Sequence, residues 1–179
     1  EFQMDDASAT LRGFRSQALY VLHRVLTDPN RRDLAFIPEG DEDVSVWDAN
    51  SRQTEAVQVK DYSGDLSLSA FDPESSNGFV SRLQRRRTIN PDCVTKVATY
   101  GPLGPELKGA ISGEERYRNR VVSKIRKAGH WRNTREIEAA LQDLDSNVVK
   151  LDRSQMASEI QSALRSTSVG GSVETAFDL

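Results

Sequence analysis

Two short segments constrain this chain more than any other feature: Asp43-Val44-Ser45-Val46-Trp47-Asp48 and Glu55-Ala56-Val57-Gln58-Val59-Lys60. Both place β-branched residues at alternate positions, the pattern of a strand with one buried face. Successive side chains of a strand point to opposite faces, so Val57 and Val59 share one face while Gln58 and Lys60 share the other. A hairpin turning near Ser51 and Arg52 pairs Asp43 with Lys60 and Ser45 with Gln58, all on the polar face. A carboxylate, an amide oxygen and an ammonium then meet at one end of a small sheet. Such a set suits a divalent cation and the negative charge of a phosphoryl transition state.

The 179 residues suffice for one domain with a substantial core. No apolar stretch approaches a membrane span, and the N-terminus lacks the basic-then-apolar build of a secretory signal. Glu1-Phe2-Gln3 ahead of Met4 reads as a cloning remnant. A single cysteine, Cys93, leaves no intrachain disulfide and no cysteine-cluster zinc site, which points to a reducing cytoplasm. The net charge of −3 argues weakly against nucleic acid, but its distribution is uneven. Arg82 joins Arg85, Arg86 and Arg87, and from Glu114 to Arg135 eight bases face two acids. A local patch matters more for phosphate than the total does.

Along the chain, Leu11, Phe14, Ala18, Val21, Leu22 and Val25 recur at helical spacing and predict an amphipathic helix over 10–27, ended by Asp28-Pro29-Asn30. Leu34–Ile37 is a first strand, and Pro38-Glu39-Gly40-Asp41-Glu42 an acidic turn. Phe79, Val80 and Leu83 open a helix running into the arginines, Val94–Tyr100 is a strand, and Gly113–Ala128 a basic helix. Helices over 134–144 and 154–164 flank a strand at 147–151. The order predicts an α/β fold, a mixed sheet core flanked by helices. Residues 1–9 are expected to be flexible, 10–165 to form the domain, and 166–179 to be a serine- and glycine-rich linker or the start of a following domain. No glycine-rich phosphate loop is present.

Gly13-Phe14-Arg15-Ser16-Gln17-Ala18-Leu19-Tyr20, then Glu39-Gly40-Asp41-Glu42-Asp43-Val44, then Val57-Gln58-Val59-Lys60 resemble the PD-(D/E)xK, or restriction-endonuclease-like, nucleases of the Mrr-like branch. The nearer likeness is to the double-stranded-DNA endonuclease domain of CBASS effectors (CD-NTase-associated proteins), also found on STAND-type anti-phage proteins. It covers Leu11 to Tyr62 and fades beyond. The resemblance implies Mg²⁺- or Mn²⁺-dependent hydrolysis of DNA phosphodiesters with little sequence specificity, in a bacterial defence effector. It implies Asp43 as a direct metal ligand, Gln58 as a carbonyl ligand or water-orienting group, and Lys60 as the cation that polarises the phosphate. Glu39 matches a further metal-binding position and Gln17 a supporting one on the first helix. Gln58 stands where the commoner pattern has an acid, which lowers the ligand charge available for a second metal. Arg85, Arg86, Arg87, Arg116, Arg120, Lys124 and Lys127 are the candidate DNA contacts. One catalytic centre cuts one strand, so a double-strand break implies a homo-oligomer with paired domains. A sensor domain is expected to follow.

Without the resemblance, Asp43 reads equally as a turn cap, Lys60 as an edge-strand guard, the acidic turn as solvated, and the basic runs as solvated faces. The rival function is an inactive nucleic-acid-binding or oligomerisation module fused to a sensor.

Overall fold

The hydrophobic alternation read in the sequence becomes a five-stranded mixed sheet in the computed structural model, which describes residues 4–38, 42–62, 64–67, 69, 82, 85–86, 89–127, 135 and 148–167. The strands, β1 (Leu34–Pro38), β2 (Val44–Asp48), β3 (Gln53–Lys60), β4 (Val94–Thr99) and β5 (Val148–Lys150), lie side by side in chain order. β1, β2 and β3 form an antiparallel meander, while β4 and β5 add in parallel to β3. Helix α1 (Met4–Thr27) leads the sheet. Among the described residues, helices α2 (Pro105–Ile111) and α3 (Glu115–Lys127) lie between β4 and β5, and α4 (Arg153–Thr167) follows. Among the described residues, no helix is long and apolar enough to cross a membrane.

The β2–β3 hairpin forms, with a register two residues from the expected one. Val44 pairs with Val57 and Ser45 with Ala56, and the ladder slips between Val46 and Trp47. The turn is tightened by Asp48, whose Oδ1 accepts from the backbone N–H of Asn50 and of Arg52, each at 2.9 Å. Ser51 takes the left-handed conformation (φ 59°) that this closure requires. A slip of one residue reverses every face, whereas a slip of two preserves them all. Gln58 and Lys60 therefore still share a face, opposite to Val57 and Val59.

Both faces of the sheet are covered. Val44, Val57, Val59 and Ala98 pack with Tyr20 of α1 and Met156 of α4. On the other face Ala56, Gln58, Thr95, Val97 and Thr99 are buried.

Of the expected apolar stripe of α1, Val21 packs against the core, but most of the stripe faces away from the sheet. Leu11 and Phe14 are 58% and 52% exposed, and Leu22 and Val25 are also exposed, while Ser16 and Tyr20 are buried. Polar anchors at four-residue spacing decide this orientation. Ser16 Oγ lies 2.5 Å from Asp61 Oδ2, and Arg24 reaches Tyr20 Oη (3.0 Å) and Glu55 (3.1 Å). His23 meets Glu159 of α4 at 2.5 Å. α1 also begins at Met4, well before the expected start at Thr10.

Helix α2 was not expected at all, although Pro105 at its first turn is a helix-start signal. The expected helices over 79–87 and 134–144 lie mostly outside the described residues. Of them, Arg82, Arg85, Arg86 and Arg135 are described and helical.

Candidate functional site

Strand β3 delivers Gln58 and Lys60 to the face opposite α1, and Asp43 reaches them from the residue before β2. Asp43 Oδ2 accepts the backbone N–H of Val59 at 2.7 Å, which fixes its carboxylate across the end of β3. Val59 sits between Gln58 and Lys60, so that bond places the acid beside both. With its oxygen turned toward the donors, the Gln58 amide accepts from Lys60 Nζ at 3.2 Å and from Arg82 Nη2 at 3.0 Å. The three residues singled out by sequence thus gather on one face.

The structure adds a second layer of charge. Glu42, expected in a solvated turn, is buried with its side chain only 2% exposed. Its oxygens lie 3.4 Å from Arg82 Nη2 and 3.5 Å from Arg86 Nη2. Arg86 also donates to Gln53 Oε1 at 3.2 Å, and Gln53 donates onward to Ser45 Oγ at 3.1 Å. A chain of acceptors and cations runs Glu42, Arg82, Gln58, Lys60, with the neutral Gln58 amide oxygen between two cations.

Burial sets the protonation of this group. It pushes the Glu42 carboxyl above its ordinary value, against the pull of Arg82 and Arg86, and neighbouring Asp43 pushes the same way. Burial likewise lowers the Lys60 ammonium, with Asp43 and Glu42 resisting and Arg82 assisting. A desolvated cation acts on a nearby phosphate oxygen more strongly than an exposed one.

Hard oxygens from Asp43 and Gln58 form a donor pair of the kind Mg²⁺ accepts, since that ion keeps several waters and needs few protein ligands. Among the described residues Asp43 bonds through Oδ2 alone, and buried Glu42 Oε2 has no hydrogen bond but stands 3.4 Å from Arg82 Nη2. Lys60 and Arg82 both stand on the Gln58 oxygen, so a cation bound there would take their place. Among the described residues, no group of three or more His, Cys, Asp and Glu side chains could hold a metal ion. Glu39, the further ligand implied by the resemblance, lies outside the described residues.

Not every candidate joins the cluster. Gln17 stands on α1, whose packing against Val57 and Val59 places it across the sheet from Gln58 and Lys60. Arg87 is outside the described residues, Arg85 is exposed, and Arg86 is turned inward with its side chain 11% exposed. On α3, Arg120 and Lys124 share Glu106 of α2 at 3.0 and 3.7 Å. Arg116 lies over the Tyr117 ring at 5.5 Å, and Lys127 is exposed. The sequence reading missed Glu42 as a buried group and Arg82 as a ligand of Gln58. Its only available signal for Arg82 was membership of the arginine cluster.

No protein-family model and no curated protein matches the chain.

Proposed function

We propose that this chain is a metal-dependent DNA endonuclease domain of the PD-(D/E)xK type. One observation carries the reading: Asp43, Gln58 and Lys60 converge on a single face at the end of β3, held there by the Asp43–Val59 bond. Under this reading Asp43 and Gln58 would hold one Mg²⁺ or Mn²⁺, which would supply a bound water of lowered pKa and Lewis-acid charge. Lys60 orients and neutralises the scissile phosphate, and Val59 keeps Asp43 aimed through its N–H. Arg82 leaves the Gln58 oxygen for the phosphate as substrate enters. Contacts from Arg85, Arg116 and the exposed cations of α3 position the duplex without reading bases, so cutting has little sequence preference. Cutting both strands requires two such domains side by side. The cellular setting that goes with this reading is a cytoplasmic anti-phage effector with a separate sensor.

A second reading is favoured by one contact. Arg82 Nη2 stands 3.0 Å from the Gln58 oxygen that a metal needs, as in an inactive nucleic-acid-binding module whose site is filled by its own arginine. Incubating supercoiled plasmid with the parent chain and with Lys60→Ala, with and without Mg²⁺, separates the two. Metal-dependent cleavage that the variant loses while keeping DNA binding supports the nuclease. DNA binding by both proteins, with neither cleaving across protein concentrations that saturate the plasmid, supports the module.

A further inference from the structure

Across the sheet from Lys60, a cavity of about 560 Å³ is lined by Leu11, Arg12, Arg15, Ser16, Asp61 and Arg153. It lies between the N-terminal half of α1 and the start of α4. Asp61 directly follows Lys60, so the cavity opens at the same end of β3 as the Asp43 cluster and on its opposite side.

Among the described lining residues, the one carboxylate is already paired. Asp61 is bonded by Arg153 and by Ser16 Oγ. Arg153 Nη2 also donates to Ser16 Oγ at 2.9 Å, and its guanidinium lies 4.2 Å from the centroid of the Tyr100 ring. Tyr100 Oη in turn donates to the Ser16 carbonyl at 3.1 Å. These contacts fix one guanidinium at the cavity wall.

Arg12 and Arg15 are different. Both are exposed, and neither guanidinium has a hydrogen bond, an ion pair or a ring contact among the described residues. They stand at i and i+3 on α1, close enough for their like charges to repel. Two unpaired planar cations beside a third held rigid offer forked N–H donors to a tetrahedral oxyanion. The volume falls in the range of roughly 300–1,000 Å³ typical of small-molecule sites, large enough for a whole nucleotide. Leu11 offers that nucleotide an apolar wall.

We propose that this cavity is a phosphate-binding site for one nucleotide unit, with Arg12 and Arg15 as direct ligands and Arg153 as a third held by Asp61 and Ser16. The phosphate chemistry follows from the cavity alone. Assigning the nucleotide to the strand being cut rests on the nuclease reading above, whereas a free nucleotide is the other source of the same group.

The test is made in EDTA, so that cleavage plays no part. Affinity for a labelled 5′-phosphorylated duplex is measured against salt for the parent, Arg12→Ala/Arg15→Ala, Arg12→Lys/Arg15→Lys and Lys60→Ala. Each phosphate contact contributes about 0.9 to the slope of log affinity against log salt, so the double alanine variant should lose roughly 1.8. A fourfold rise in salt then costs it roughly tenfold less affinity than it costs the parent. The lysine variant should recover most of the slope, and Lys60→Ala should keep more of it than the double alanine variant. Calorimetric titration with dAMP and with inorganic pyrophosphate identifies the source. Saturable binding lost in the double alanine variant supports a free nucleotide, and a lost slope without such binding supports the strand. An unchanged slope together with no dAMP or pyrophosphate binding overturns the site. Failure of the plasmid assay with a changed slope removes only the nuclease reading, and cleavage with an unchanged slope and no ligand binding removes only the phosphate site.

Discussion

Two carboxylates, one half-buried and one buried and each facing two cations, are expected to answer the same substitution differently. Glu55 on β3 meets Arg24 at 3.1 Å and Lys96 at 2.9 Å, with its side chain 18% exposed. Burial raises its pKa, but the hydrogen bonds from Arg24 and Lys96 outweigh that and hold it below the ordinary carboxylate value. Its ionised form therefore stabilises the fold. Glu55→Gln weakens two charge-assisted contacts of about 1.5–3 kcal/mol each, and the amide oxygen keeps part of them, leaving a loss of about 2–3 kcal/mol. For a chain of this size that lowers Tm by roughly 4–12 °C.

Glu42 has longer contacts, 3.4 Å and 3.5 Å, and a net raised pKa because burial wins. Its charge opposes folding at neutral pH, so Glu42→Gln should change stability by under about 1 kcal/mol. The arginines left behind are not stranded, since Arg82 is 36% exposed and Arg86 still bonds Gln53. Urea unfolding followed by circular dichroism, at neutral pH and in an acid series, provides the comparison. A depressed folded pKa gives stability that is present above the unfolded value and lost on acidification. The gap between parent and Glu55→Gln should therefore close as pH falls below about 4, near and under the unfolded glutamate pKa. Equal losses for the two variants, or a larger loss for Glu42→Gln, would refute this assignment of which carboxylate is stabilising.

The orientation of α1 can be tested by exchanging its faces. Phe14→Ser, on the exposed stripe, should shift stability by no more than about 0.5 kcal/mol, whereas Tyr20→Ala, on the buried side, should cost about 3–5 kcal/mol by chemical denaturation. At the α2–α3 contact, a Cβ on Gly109 meets the Tyr117 ring at 2.3 Å. Gly109→Ala should thus destabilise by about 1–3 kcal/mol despite the better helix propensity of alanine, and Gly109→Ala/Tyr117→Ala should lose less than the sum of the two single changes. Burial pushes the Tyr100 phenol up to about 12, with Arg153 resisting. Its phenolate absorbance should appear only at that end of an alkaline titration and be missing in Tyr100→Phe.

What was legible in the sequence follows from what each pattern encodes. Alternation in 44–48 and 55–60 reports which residues share a face, and that information survived a register error of two because the strand period is two. The register itself was hidden because it depends on Asp48 closing the turn through its side chain. On α1, periodicity correctly announced a helix but selected mostly the wrong face. Ser16 and Arg24 carry polar atoms that find partners on β3 and the residue after it, and no local pattern reveals such partners. Glu42 was unreadable for the same reason, since the arginines that accompany it into the interior come from residues 82 and 86. The convergence of Asp43, Gln58 and Lys60 was legible because all three lie within one hairpin, where spacing and face suffice.

Under the nuclease reading, Asp43 and Gln58 together present oxygens to one cation beside Lys60. Titrating Mn²⁺ into the parent chain and into Asp43→Asn, in the presence of a duplex too short to be cut usefully, measures that claim directly. The account expects one ion per chain in the parent and no saturable binding in Asp43→Asn, with both proteins equally folded. Stoichiometric Mn²⁺ binding that persists in Asp43→Asn, or its absence from the parent, would contradict it.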